Sequence, residues 1–239
     1  MKTARFYLLL IVVLFSCFAC AAAQIALEKK DLKVETKMSD TIFLDIEKQP
    51  ERTIFVDIRN TSDKDIDIKS LIQSNIQGKG YVLTATPGKA GYILQGNILY
   101  VGKANPSALR ESLYAGYGGA LGGALAGGVL SRSARGAGAG GLLGGVAELV
   151  AGSLVKDVTY SIVTDLMISE RSSDVVSQTI KSDLHQGKGS KILQKTESKE
   201  RRKRYQTRIL STANKVNLKF EEAINPLVNG LARSIAGIF

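Results

Sequence analysis

The segment that most constrains this chain is residues 113–155. Between Glu111 and Lys156 the only charged residues are Arg132, Arg135 and Glu148, and 14 of the chain's 24 glycines fall between Gly116 and Gly152. In water each glycine costs a helix roughly 1 kcal/mol relative to alanine. Lipid removes water as a competitor for the backbone, so a glycine helix is less costly to keep there. Residues 113–130 form an uncharged run of roughly 27 Å as a helix, and residues 136–155 one of roughly 30 Å, long enough to cross a hydrocarbon core. The polar, basic "SRSAR" between them suits a turn at a headgroup surface.

The spacing adds to the composition. Gly119, Gly123 and Gly127 recur every four residues, and Gly136, Gly140 and Gly144 repeat the pattern in the second run. A four-residue step keeps a residue near one helix face, so backbones can approach closely along a glycine stripe. The pattern predicts a glycine-zipper transmembrane helical hairpin with Arg132 and Arg135 at its tip, where a partner would be recognised. A flexible linker would carry more serine and charge and less leucine and valine. Glu148 fits worst, because a carboxylate at that depth needs a neighbouring subunit, water or an arginine.

The flanks are patterned as soluble structure. "TIFVDIRN" places Ile54, Val56 and Ile58 on one side of a strand, and "DIDIKSLIQSNIQGKG" spaces Ile68, Leu71, Ile72 and Ile76 as a helix. "GYILQGNILYV" alternates, with Tyr92, Leu94, Ile98 and Tyr100 expected on one face. Beyond residue 155, "KDVTYSIVTDLMISE" sets Val158, Tyr160, Ile162, Leu166 and Ile168 against Asp157, Thr159, Asp165 and Ser169. "YQTRILSTA" is a further strand, and from Asn217 a helix carries Phe220, Ile224, Leu227, Leu231, Ile235 and Ile238 on one stripe. The fold class expected is α+β, a mixed sheet with packed helices, interrupted by the membrane hairpin.

The N-terminus reads as an export signal: Lys2 and Arg5 precede a ten-residue apolar run, Phe6 to Phe15. "LFSC" and "CFAC" both resemble a lipobox, and Cys17 and Cys20 each satisfy half of its preferences. The chain has no cysteine after Cys20, which excludes a disulfide framework and zinc-type cysteine sites. After cleavage before Cys20 the chain keeps 30 of its 32 lysines and arginines against 22 acids. In an exported protein the commoner anions for that excess are lipopolysaccharide phosphates and membrane surfaces. "ESKERRKRYQTR" concentrates the charge at Lys199, Arg201, Arg202, Lys203, Arg204 and Arg208. Residue by residue this reads as a solvated loop and strand edge; the sharper reading is an anion-binding patch at Arg201, Arg202, Lys203 and Arg204. One tyrosine beside the run is poor support for base stacking, so nucleic acid is not expected.

Signals for catalysis are scarce. The single histidine, His185, lies near Gly187 and Gly189, and no nucleophile elbow, phosphate loop or metal-ligand spacing occurs. Asp157 and Asp165 share a strand's polar side, where paired carboxylates are usually just solvated. No enzyme, no metal and no cofactor are expected.

The order of "KMSDTIFLD", "RTIFVDIRNTSDKDIDI", "LRES", "GYGGALGGALAGG", "VKDVTYSIVTDLMISE", "YQTRILSTANKVNLKFEEA" and "LARSIAGIF" resembles the TraT complement-resistance and surface-exclusion lipoproteins. The resemblance runs from about Lys30 to Phe239. It implies that Cys20 is the lipidated residue, carrying diacylglyceryl and N-acyl (palmitate) chains, and that residues 1–19 are a lipoprotein signal peptide. The organisation expected is then residues 20–112 as the first part of an α+β domain, 113–155 as the membrane hairpin and 156–239 as the second part. The resemblance also implies a surface-exposed outer-membrane homo-oligomer that blocks mating-pair formation in conjugation and hinders complement, with lipopolysaccharide and a donor pilus or mating apparatus as partners. A different class of function remains open: an envelope structural or pore-forming glycine-zipper oligomer with no conjugation role. The sequence departs from the family pattern in the signal region, at "SRSARGAGAG" and across Arg171 to Arg204, where a partner would be read.

Overall fold

The computed structural model describes residues 27–45, 52–121, 148–149, 156–186 and 190–239, with 148–149 and 173–200 as backbone. In chain order the elements are β1 (Lys33–Met38), β2 (Thr53–Asn60), α1 (Lys69–Gln77), β3 (Val82–Leu83), a 3-10 turn (Pro87–Lys89), β4 (Tyr92–Lys103) and α2 (Pro106–Ala115). They continue as β5 (Glu148–Leu149), β6 (Lys156–Gln186), β7 (Ser190–Val216) and α3 (Phe220–Ala236). Among the described residues the strands form one seven-stranded sheet, ordered β1-β7-β6-β4-β2-β3, with β5 paired to β6. β2 runs parallel to β3 and to β4; every other pairing is antiparallel. The sheet is thus mixed, and strands from both sides of the glycine-rich segment build it.

Alternation explains the two faces. Ile54 and Val56 from β2, Leu94 and Ile98 from β4, Ile162, Leu166 and Ile168 from β6 and Ile209 from β7 point to one side, where α1 and α3 cover them. Helix α3 buries Ala223, Leu227, Gly230, Leu231 and Ile235 on its inner stripe. At Gly230 an added Cβ would lie 3.3 Å from Thr36 Oγ1 and 3.4 Å from Val34 Cγ1, so the small residue lets α3 sit close to β1. On the opposite face a smaller cluster joins Ala108 and Leu109 of α2 to Tyr100, Val163 and Leu210 of the sheet.

Tyr100 does not share a face with Tyr92, Leu94 and Ile98. The β4–β6 register shifts between Ile98 and Tyr100, and one extra residue at a bulge reverses every side chain beyond it. Tyr100 therefore packs under α2 while Val101 joins the larger core.

The transmembrane helical hairpin is overturned. Among the described residues no helix is long and apolar enough to cross a membrane. The run beginning at residue 113 is helical only as far as Ala115, and at the other end Glu148 and Leu149 are a strand paired with Asp157 and Lys156. The physical cause at the first end is local. Gly116 and Gly118 adopt φ of +66° and +70°, a region that glycine enters at no steric cost and that ends a right-handed helix. The Gly116 amide donates to Leu113 O, closing a tighter turn. The carbonyl that a continuing helix would have given it, that of Ser112, accepts from Arg208 instead.

Candidate functional site: the root of the glycine-rich segment

Helix α2 begins where Pro106 fixes the first helical φ and the Asn105 side chain accepts the Ser107 amide at 2.8 Å, a local N-cap. It ends at the glycine pair just described, against Asp165 of β6 and Arg208 of β7. Two charged residues face it from those strands. Asp165 on β6 and Arg208 on β7 are cross-strand register partners. Arg208 has no exposed surface and Asp165 is 9% exposed.

The pair is bidentate: Arg208 Nε donates to Asp165 Oδ1 at 2.6 Å and Nη2 to Oδ2 at 3.0 Å. The remaining donors reach the chain leaving α2. Nη1 donates to Ser112 O at 3.0 Å and to Ala120 O at 3.4 Å, and Nη2 to Gly119 O at 2.8 Å. Asp165 Oδ2 also accepts the Gly118 amide at 2.8 Å. The last carbonyls of a helix carry partial negative charge and lack partners, so a guanidinium there satisfies backbone and carboxylate together. Charge-assisted bonds of this geometry are the strong ones, and the guanidinium fork suits several acceptors at once. The site clamps residues 112–120 to the sheet at the point where the glycine-rich segment departs. Tyr117 lies in the same corner; burial, reinforced by the charge of Asp165, raises its phenol above the ordinary tyrosine range.

The glycines at this root are individually required. A Cβ on Gly119 would lie 2.2 Å from Ala115 O, closer than any side chain tolerates. Gly119, expected in a helical packing stripe, is therefore a turn residue whose carbonyl binds Arg208. The other stripe residues, Gly123, Gly127, Gly136, Gly140 and Gly144, lie outside the described residues, as do Arg132, Arg135 and Cys20.

The basic residues at 201–204 all lie on β7, and alternation divides them between its faces. Arg202 donates to Ala90 O at 2.8 Å and Pro87 O at 3.2 Å, fastening the turn before β4, where Arg171 also binds Gly88 O. Lys203 pairs with Asp45 at 3.0 Å. Arg201 is exposed. Asp157 pairs with Lys29 and accepts from Asn214 Nδ2 at 2.6 Å. His185 falls in β6 opposite Lys191. Among the described residues no group of His, Cys, Asp and Glu could hold a metal ion.

Arg208 and Asp165 carry this site, and sequence reasoning placed both in solvent. A signal was present: Asp165 is the only charge in the nine residues "SIVTDLMIS". A strand covered on both faces shows such continuous low polarity, and a lone charge within it needs a buried partner.

These features define a mixed-sheet α+β protein in which a buried ion pair fixes the first residues of a glycine-rich segment to one face. Its family is clear from comparison with known proteins. The enterobacterial TraT complement resistance protein model matches residues 31–239, and the chain belongs to that family. It is similar to a TraT complement resistance protein of Escherichia coli strain K12, 42% identical over 250 residues that cover all of this chain and 99% of the relative. A TraT complement resistance protein of Wigglesworthia glossinidia brevipalpis is 30% identical over 241 residues, covering 98% and 97%.

Proposed function

We propose that this protein is a lipid-anchored, oligomeric outer-membrane protein that protects its cell against complement and reduces mating-pair formation in conjugation. One observation carries the reading: likeness at 42% identity along the whole length of proteins named for complement resistance. Supporting it from the sequence are the charged N-terminus, the ten-residue apolar run and the small residues before Cys20. Cys20 is the acylated residue, and self-association, lipopolysaccharide and a donor-cell surface structure are the partners.

The test separates anchor from activity. Labelled palmitate is followed in wild type, Cys17→Ser and Cys20→Ser, with each product fractionated between inner and outer membranes. Label lost only in Cys20→Ser, with wild type in the outer membrane, is the expected result. The same strains are scored for survival in serum and for receipt of a conjugative plasmid. Deleting the gene lowers serum survival and raises plasmid receipt. A deletion strain unchanged in both assays overturns the reading even if the anchor is confirmed.

A further inference from the structure

β6 and β7 outrun the rest of the sheet. β4 leaves β6 at the Tyr92–Glu170 pair, and β1 leaves β7 at the Met38–Ile209 pair. Beyond the register shift at 171–176, eleven consecutive pairs continue alone, from Val176–Glu200 to Gln186–Ser190. At 3.3 Å per residue this ribbon extends about 36 Å. Among the described residues no third strand pairs with either side of it. A two-stranded ribbon is marginal by itself in water, and both of its edges are open templates for another strand. Its length carries no proline to block them.

Register places the residues on two unlike faces. Val176, Ile180, Leu184 and Ile192 share one face with serine, threonine and glutamine, and Glu200 at the base is its only charge. Lys181, Asp183, Lys191, Lys195, Glu197 and Lys199 all share the other. Within the ribbon the charged face is badly matched. Lys181 stands directly opposite Lys195, Asp183 opposite Leu193 and Glu197 opposite Thr179. Like charges directly opposite are destabilising, and opposite charges there are stabilising.

A second copy of the chain corrects the mismatch. When β6 of one copy meets β7 of the next, antiparallel as within the ribbon, faces match only for registers offset by an even number of residues. Offset by two toward the strand's base, Lys181 stands opposite the partner's Glu197, and Asp183 opposite the partner's Lys195. At zero offset the Lys–Lys opposition recurs. At four, Lys181 meets the partner's Lys199 and Asp183 the partner's Glu197. Two residues the other way leaves a single opposite-charge pair, and four that way sets Lys181 against the partner's Lys191. One register therefore satisfies both acids. Each copy has one edge of each kind, so the contact repeats head to tail, which forms a ring when the rotation between copies closes; a constant stagger is what closure of a sheet into a barrel requires.

We propose that the 176–200 ribbons of neighbouring copies join edge to edge, with Lys181 opposite the partner's Glu197, into a shared antiparallel β-ring. The inference rests on the self-association proposed above and names the surface that mediates it. Full-length chains carrying Lys181→Cys and Glu197→Cys, each with Cys17→Ser and a different tag, are co-expressed and oxidised in their membranes. Disulfide-linked pairs bearing both tags are expected, and likewise for Asp183→Cys with Lys195→Cys. Thr179→Cys with Leu193→Cys, six residues out of register and about 20 Å apart, is expected not to link. Lys181→Glu removes the like-charge pair inside each ribbon but faces the partner's Glu197. It therefore lowers the 183–195 link severalfold in a protein that remains folded. The size of the detergent-extracted wild type separates the two ideas. An oligomer in which neither matched pair links, or in which 179–193 links equally, overturns the ribbon interface alone. A monomer without links overturns self-association as well.

Discussion

The two faces of the sheet are held by different physics. Between the sheet and helices α1 and α3 more than twenty buried apolar side chains, the helices' own included, form one cluster. At α2 the apolar cluster has five buried members, and one ion pair with its backbone partners fixes residues 118–120 just beyond the helix. The first arrangement is redundant, since loss of one side chain leaves its neighbours in contact. The second is not, because Arg208 serves one carboxylate and three carbonyls at once. A face built on packing tolerates drift; a face built on one guanidinium holds a single geometry.

The largest expected effect breaks that contrast at its centre. Arg208→Met strands Asp165 in a buried site and destabilises the fold by about 3–5 kcal/mol, read as a lowered urea midpoint. Adding Asp165→Leu should recover most of that loss while leaving residues 116–121 unclamped and open to proteolysis. If the double variant stays as unstable as the single, the pair is not the source of the effect. Leu227→Ala, in the apolar face, should cost about 2–5 kcal/mol through its cavity without exposing residues 116–121 to protease. Gly116→Ala sharpens the comparison further. It forces a side chain into an extended positive-φ conformation that is essentially glycine's alone, at a cost of about 1–3 kcal/mol, and the damage should appear at the α2 end before the sheet melts.

A pH titration addresses the α2 side separately. Tyr100 is buried there and donates to the Lys103 carbonyl; burial, with a smaller contribution from Asp63, pushes its phenol up to about 12. An unfolded tyrosine titrates near 10. A raised pKa in the folded state means that this contribution is fully present below about pH 10 and is lost as the pH climbs toward 12. Phenolate absorbance should lag behind that of the unfolded chain, and Tyr100→Phe should remove part of the alkaline sensitivity. The smallest effect is expected at the rim. Lys33 pairs with Glu35 on β1 with three quarters of its side chain in solvent, so Lys33→Ala should change stability by about 0–1 kcal/mol.

Much of the apolar face was legible in the sequence. Alternation in "TIFVDIRN" and "KDVTYSIVTDLMISE" and the stripe from Phe220 onward name the strands and the helix that build it. β1 was not legible, because "KVETKM" is a charged edge strand with little hydrophobic signal. Nor was α2, since ten residues capped by Asn105 run without a visible break into the glycine-rich stretch. The helical hairpin was misread for the same reason. A four-residue glycine period looks the same whether its residues form a stripe or, as at Gly119, begin with a turn. In sequence the basic run from 199 reads as one cluster, either solvated or an anion-binding patch, although strand geometry sends Arg208 inward and Arg202 onto the carbonyls before β4. Sequence shows where charge is; it does not show which charge has met its acceptor.

The pairing of β1 with β7 also has a consequence in time. Thr36 and Ser211, 175 positions apart in the chain, touch. Contacts of such sequence separation make folding slow, because a long loop must close before they form. During synthesis at about 5–20 residues per second, the emerging chain holds β1, β2 and β4 for seconds before β6 and β7, the two strands that lie between β1 and β4, exist. Throughout that interval Leu94 and Ile98 lack their β6 neighbour, and all four of Ile54, Val56, Leu94 and Ile98 lack the cover of α3. A holdase would find its clearest target in this waiting half-sheet, and a frameshift before residue 200 would release a fragment with exposed edges.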